Sequence, residues 1–171
     1  MPILEFKEIA QGNNADGEQD SFELFARDFF KYLGYEIIGE PDRGSDNGCD
    51  LVIEETLVGI GRKETFRWLV SCKHYAHSAK GTAVGTGHEQ GITDRIKSND
   101  CKGFIGFYST LPSSGLTQKL EGLDELEVQI FDKEKIETTL LKPNDDDAKT
   151  IALRYFPLSS NKWEDLSLIH I

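Results

Sequence analysis

The stretch Trp68–Tyr75, WLVSCKHY, has the apolar character of a buried strand, yet it contains a lysine. Side chains alternate across a strand, so Ser71 and Lys73 share one face. Val70 and Cys72 then lie on the opposite face. A buried ammonium group without a partner is costly, so the sequence predicts anionic groups close to Lys73. Two simpler interpretations stay open: a structural ion pair, or a lysine that extends to solvent from the strand end.

Two carboxylates are the first candidates for those anionic groups. Asp50 lies at the start of CDLVIEE, a predicted strand that pairs with the lysine-bearing strand and brings Asp50 to the same sheet edge. Glu23 lies on the flank of an amphipathic helix, SFELFARDFFKYLGY, where its carboxylate would face the seam between helix and sheet. Together with Lys73, they could hold a hard divalent cation and act on a phosphate. A glutamate that merely borders solvent is the alternative for Glu23.

The order of the predicted elements favours an α/β domain with three layers. The amphipathic helix is followed by hairpin-like strands, and helices then alternate with strands as far as residue 142. We therefore predict a central mixed β-sheet flanked by helices, with residues 1–142 as one domain. Residues 143–171 contain aromatic anchors but show no clear period. We predict that they form a C-terminal extension packed on the same domain.

The charge balance argues against strong unaided binding to nucleic acid. Thirty acidic residues against 19 basic ones give a net charge of −11, whereas proteins that bind a phosphate backbone usually carry a basic surface. The three cysteines form no CxxC pair, which favours reduced thiols in a cytoplasmic protein over disulfides or a zinc site. We expect neither a membrane-spanning segment nor a signal peptide, because no apolar run has the length and flanks that these require.

The motifs FE, GCDLVIEE and WLVSCKHY resemble those of the PD-(D/E)XK nuclease superfamily, and most closely the Mrr-like restriction endonucleases. Proteins of that family follow a helix bearing FE with a strand beginning GxD and a strand ending QxK, often as VQCKHY. In this sequence Phe22-Glu23, Gly48-Cys49-Asp50 and Ser71–Tyr75 occupy those places in the same order. The resemblance covers roughly residues 18–142, and it implies the three-layer restriction-endonuclease-like fold.

The resemblance also implies a function. The chain would be a metal-dependent deoxyribonuclease that hydrolyses phosphodiester bonds of DNA in restriction or anti-phage defence, with Mg2+ or Mn2+ as its cofactor. Asp50, Glu23 and the backbone carbonyl of Cys72 would bind the metal. Lys73 would orient the attacking water and offset charge on the phosphate, and Ser71 would support the site through hydrogen bonds. Because the chain is acidic and shows no separate DNA-binding module, a homodimer or a partner subunit would supply target recognition.

Ser71 departs from the family pattern, which has Glu or Gln at that place. A serine is a poorer metal ligand than a carboxylate, so the missing ligand could come from elsewhere in the chain. The candidates are Glu89, Glu54 and Glu55, and Glu89 is favoured because it belongs to a predicted helix that follows the active-site strand. The alternative for Glu89 is a solvated helix face.

Two other functions compete with a nuclease. The fold could be a catalytically inactive module that binds nucleic acid or a partner protein, with Ser71 marking the lost ligand. A cysteine hydrolase could instead use Cys72 with His74 or His77, although strand alternation turns Cys72 away from Lys73. His74 and Tyr75 could contact a phosphate or belong to ordinary packing.

Overall fold

The computed structural model describes residues 2–11, 21–39 and 50–169, and for residue 50 and residues 167–169 it describes the backbone alone. Five strands form one sheet, and they lie in it in the order in which they follow one another along the chain. The strands are β1 (Glu36–Gly39), β2 (Asp50–Gly59), β3 (Arg62–Lys73), β4 (Gly103–Tyr108) and β5 (Glu127–Phe131). The helices are α1 (Ser21–Tyr32), α2 (Ile92–Ser98), α3 (Ser114–Glu121), α4 (Lys133–Leu140), α5 (Asp146–Tyr155) and α6 (Pro157–Ile169).

The sheet is mixed, as predicted. Strands β1, β2 and β3 pair antiparallel, whereas β3, β4 and β5 pair parallel. A tight connection of Ile60 and Gly61 joins β2 to β3, and Gly61 has a φ of +74°, which a glycine adopts without strain. Residues 40–49, which include the motif residues Gly48 and Cys49, lie outside the described residues.

Helices cover both faces of the sheet and make the three layers. On one face, the phenylalanines of α1 pack against Val70 and Cys72 of β3 and Phe107 of β4. On the other face, Leu69 of β3 and Tyr108 of β4 pack with apolar side chains of α2 and α3. Each fully buried Phe or Leu stabilises the fold by about 1.5–3 kcal/mol. The alternation places Ser71 and Lys73 on the second face, opposite to Cys72, as the sequence predicted.

Two segments differ from the sequence predictions. The helix that was predicted to contain Glu89 begins only at Ile92, because Gly91 takes a left-handed conformation with a φ of +62° and separates Glu89 from the helix. The end of the chain, for which no period was predicted, forms α5 and α6. Asp145 caps α5 by accepting a hydrogen bond from the Ala148 N–H, and α6 begins at Pro157, a residue that suits the first turn of a helix.

The C-terminal helices contact the rest of the described chain at several points. Phe156, which is fully buried, belongs to the aromatic core on the α1 side of the sheet. Tyr155 Oη donates a hydrogen bond of 2.6 Å to the Asp28 carboxylate on α1. None of the described helices is long and apolar enough to span a membrane.

Candidate active site

The register of the sheet places residue 50 and the Ser71 and Lys73 positions at one edge of the sheet. Residue 50, the first of β2, lies opposite Ser71 in the antiparallel ladder. In the parallel ladder on the other side of β3, Ser71 pairs with Gly106 and Lys73 pairs with Tyr108 of β4. The site therefore lies where β2 begins and where β3 and β4 end.

Glu89 supplies the carboxylate of this site. Its side chain is completely buried, and its Oε1 atom accepts a hydrogen bond of 2.6 Å from Ser71 Oγ. Lys73 Nζ lies 4.0 Å from the same oxygen, an ion-pair distance longer than a hydrogen bond. An anionic group therefore lies close to Lys73, as predicted, and Glu89 provides it among the side chains that the structure describes. The alternative of a solvated helix face is wrong for Glu89.

A second cation compensates for the burial of Glu89. Arg95 Nη1 on α2 lies 3.3 Å from Glu89 Oε2, and Arg95 Nη2 donates a hydrogen bond of 3.2 Å to Ser71 Oγ. The side chains of Lys73 and Arg95 are only 12% and 25% exposed, so water screens these interactions weakly. One carboxylate, one hydroxyl and two cations form a single network.

The backbone around Glu89 is held by neighbouring elements. Lys119 Nζ of α3 donates a hydrogen bond of 2.8 Å to the Glu89 carbonyl. Upstream, Val84 exchanges backbone hydrogen bonds with the segment after β4, accepting from the Ser113 N–H and donating to the Leu111 carbonyl. Because the connection between β3 and α2 is fastened at both points, the carboxylate of Glu89 reaches Ser71 from a fixed position.

The electrostatic effect of Glu89 extends to two tyrosines. Burial raises the pKa of Tyr108, and the negative charge of Glu89 adds to that effect while Arg95 opposes it. Burial and Glu89 likewise raise the pKa of Tyr75. Both hydroxyls therefore stay protonated at neutral pH and can act as hydrogen-bond donors.

The other predicted ligands lie in different places. Glu23 is buried on α1, which covers the opposite face of the sheet from Ser71 and Lys73. Glu54 accepts a hydrogen bond of 2.8 Å from Arg67, on strand positions farther from the site. Glu55 likewise lies away from it, where it accepts a hydrogen bond from Trp68 Nε1. No three His, Cys, Asp or Glu side chains that could hold a metal converge among the described residues, which do not include the side chain of Asp50.

His74 is part of the packing between α1 and the end of β3. Its ring stacks on Phe22 at a centroid distance of 4.6 Å. Its Nδ1 atom lies 2.8 Å from Ser109 Oγ, and its Nε2 atom lies 2.8 Å from the Ile9 carbonyl. Both ring nitrogens therefore have hydrogen-bond partners within the protein, and the bond to Ile9 holds the N-terminal segment against the sheet. This arrangement favours a packing role for His74 over contact with a phosphate.

Sequence reasoning missed Arg95, Lys119 and Tyr108. Arg95 precedes the buried Ile96 on a short helix. Its sequence distance from Glu89 does not distinguish it from an arginine on the protein surface. Tyr108 ends an apolar strand and has the pattern of a core residue. The signal that was available is that Glu89 and Arg95 both follow the lysine-bearing strand within one connection.

Comparisons with known proteins identify the family and the fold of the chain. A family model described as restriction endonuclease, of the Mrr type, matches residues 15–105, which is more than half of the 171 residues. Among solved structures, the DNA modification-dependent restriction endonuclease AspBHI is similar, with a TM-score of 0.65 and 16% identity. That match covers 99% of this chain and 39% of that chain, and at this identity it shows the fold. No curated protein sequence matches the chain.

Proposed function

Because the chain belongs to the Mrr-like restriction endonucleases of the PD-(D/E)XK superfamily, we propose that it is a metal-dependent nuclease that hydrolyses phosphodiester bonds of DNA. The observation that carries the proposal is the buried Glu89 carboxylate, hydrogen-bonded to Ser71 and within 4.0 Å of Lys73. The family pattern has Glu or Gln at the position of Ser71. In this chain the Glu89 carboxylate lies next to that position.

The donor set fits a hard divalent cation. Carboxylate oxygens are the ligands that Mg2+ and Mn2+ prefer. The Glu89 carboxylate is hydrogen-bonded to Ser71, and Ser71 lies opposite residue 50 in the antiparallel ladder. We propose that Asp50 and Glu89 hold Mg2+ or Mn2+, with the Cys72 carbonyl as a further oxygen donor. The bound ion would supply Lewis-acid polarisation of the phosphate.

The side chains around Glu89 would have separate roles in catalysis and in positioning the carboxylate. Lys73 is close enough to the site to orient the attacking water and to offset negative charge on the phosphate. Ser71 holds the Glu89 carboxylate in place through its hydroxyl, and Arg95 holds both of them. An inactive scaffold would have no need of this arrangement, because a buried carboxylate with two cations costs desolvation energy that an apolar core avoids.

The substrate, target choice and cellular role are proposed on separate grounds. The family implies DNA as substrate and a role in restriction or anti-phage defence. The net charge of −11 supports target recognition by a second copy of the chain or by a partner subunit. Cys101 is a buried thiol that donates a hydrogen bond to the Asn99 carbonyl, and a reduced cysteine of this kind supports a reducing, cytoplasmic location.

A plasmid-nicking assay with Mg2+ or Mn2+ tests the proposal. We expect wild type to nick DNA, and we expect Asp50→Ala, Lys73→Ala and Glu89→Gln to lose at least about 100-fold of the rate while keeping their circular dichroism spectra. Glu54→Gln is the matched control, because Glu54 is bonded to Arg67 and lies away from the site. Its rate should equal that of wild type.

Two further treatments separate the competing functions. A chelator should abolish cleavage, whereas thiol alkylation should leave it intact, since Cys72 faces the α1 side of the sheet. Cleavage that resists chelators and stops on alkylation would favour a cysteine hydrolase. A folded wild type that neither cleaves DNA nor binds Mn2+ in calorimetry would favour an inactive module that binds nucleic acid or a partner protein.

A further inference from the structure

Tyr108 has a buried hydroxyl group that the fold alone does not account for. The residue is completely buried at the end of β4. Among the groups that the structure describes, which leave out the side chains of residue 50 and residues 167–169, none forms a hydrogen bond with Tyr108 Oη. Leaving a buried hydroxyl without a partner is unfavourable, and a phenylalanine would fill the same space without that cost.

The fold makes room for this hydroxyl beside the candidate site. The ring of Tyr108 leans back along β4 over Gly106, and a Cβ atom on Gly106 would lie 2.4 Å from the Tyr108 hydroxyl oxygen. Gly106 is therefore required for the ring to lie there. Because Gly106 pairs with Ser71 in the parallel ladder, the hydroxyl lies over the strand position next to Ser71.

The charges of the site reach the same hydroxyl. Glu89 and Arg95 both act on the pKa of Tyr108, in opposite directions, and burial keeps the phenol protonated. Tyr108 thus offers an uncharged O–H donor beside the Ser71 position, and Ser71, Lys73 and Arg95 contact the Glu89 carboxylate that acts on it.

We propose that Tyr108 is a positioning residue of the nuclease site, and that its hydroxyl donates a hydrogen bond to the Glu89 carboxylate when a divalent cation is bound there. A cation on Glu89 repels Lys73 and Arg95, which compete with it for the same two oxygens. A neutral donor can hold the carboxylate without that repulsion, and such partners of ligating carboxylates commonly tune metal affinity. The inference rests on the proposed metal-dependent function.

Calorimetric titration of the full chain with Mn2+ tests the inference on wild type and Tyr108→Phe. We expect Tyr108→Phe to bind Mn2+ about tenfold more weakly. Its thermal midpoint without metal should be equal to or higher than that of wild type, because the change removes an unpaired buried hydroxyl. In a Glu89→Gln background, Tyr108→Phe should have no further effect on Mn2+ affinity.

Tyr155→Phe is the matched control. The Tyr155 hydroxyl donates to Asp28 between α5 and α1, on the opposite side of the sheet. Its removal should lower the thermal midpoint and leave Mn2+ affinity unchanged, which is the reverse of the pattern expected for Tyr108→Phe. A purely structural role of Tyr108 would give the Tyr155 pattern.

The outcomes separate the two proposals. Equal Mn2+ affinity and equal nicking in Tyr108→Phe and wild type would overturn the role of Tyr108 and leave the nuclease in place. Weaker Mn2+ binding that persists in the Glu89→Gln background would also overturn it, because the effect would not pass through Glu89. A wild type that binds no Mn2+ would overturn the proposed function and this inference together.

Discussion

The carboxylate of Glu89 is removed from water, and its neighbours compensate for the cost. Ser71 donates a hydrogen bond to one oxygen, while Arg95 and Lys73 supply positive charge on two sides. Removing one member of such a buried network typically costs 3–5 kcal/mol, about as much as a large core truncation. The pair of Ser71 and Glu89 therefore has to be treated as a unit, and substitutions at the two positions will not be additive.

The unit can be tested by moving the carboxylate from one position to the other. Glu89→Ser should abolish nicking, because Lys73 and Arg95 lose their shared anion. Adding Ser71→Glu to that variant returns a carboxylate to the strand, two residues from Lys73 and on the same face. We expect the double variant to recover at least about tenfold of the rate lost by Glu89→Ser, measured on supercoiled plasmid with Mn2+.

The single variant Ser71→Glu is the control for this exchange. It places two carboxylates side by side, and their repulsion should raise a carboxyl pKa and weaken the site at neutral pH. A double variant no more active than Glu89→Ser, although folded, would show that the site needs more than a carboxylate at this place, and the assignment of Glu89 as a ligand would be lost.

At the scale of elements, the sequence predicted the sheet and its two faces better than the connections between strands. The strands β2 and β3 have strong apolar patterns, and their alternation correctly placed Ser71 and Lys73 opposite to Cys72. The position of Glu89 was not predictable in the same way, because it depends on the left-handed conformation of Gly91 and on tertiary bonds from Lys119. Such long-range contacts leave no periodic signal in the sequence.

The C-terminal helices illustrate a second limit. Asp145 caps α5, but the run Asn144 to Asp147 has the composition of a turn, and local patterns do not separate a cap from a turn. Helix α5 is held by tertiary contacts with α1, including those of Tyr155. Whether residues 143–171 are an extension of one domain formed by residues 1–142 stays a prediction, and the contact between α1 and the start of α5 offers a test.

Tyr32 of α1 and Asp145 form that contact, with a hydrogen bond of 2.6 Å from the phenol to the carboxylate. The bond raises the pKa of Tyr32 from 10.0 to about 12 and lowers the pKa of Asp145 below its ordinary value of 3.8. The Asp145 contribution to stability is present above pH 3.8 and is lost as the pH falls through its folded pKa. The Tyr32 contribution is full below pH 10.0 and is lost as the pH rises towards 12.

We therefore expect Tyr32→Phe to lower the thermal midpoint by about 2 °C at neutral pH. The difference from wild type should shrink below about pH 4 and above about pH 10, because the wild-type bond is weakened by protonation of Asp145 or ionisation of Tyr32. Differential scanning calorimetry across this range measures both effects. A difference that stays constant from pH 3 to pH 11 would mean that the bond does not join the extension to α1.

At the scale of the whole molecule, the candidate site is surrounded by basic side chains, whereas the chain as a whole is acidic. Lys73, Arg95 and Lys119 surround Glu89, while the chain as a whole carries a net charge of −11. A negatively charged protein gains little from counterion release on DNA, which supplies most non-specific affinity. We therefore expect the site to bind a phosphate that is delivered to it and the chain alone to attract DNA weakly.

This contrast in charge predicts that an added DNA-binding module will control cleavage. For the chain alone, we expect a dissociation constant for duplex DNA of about 10⁻⁴ M or weaker at physiological salt, measured by fluorescence anisotropy. Fusion to an unrelated sequence-specific module through a short flexible linker raises the effective DNA concentration at the site to the millimolar range. Nicking should then concentrate near the module's target sequence by at least about tenfold, and a Lys73→Ala fusion should bind there without nicking. Micromolar or tighter binding by the chain alone would contradict this view, because target engagement would then need no second copy and no partner.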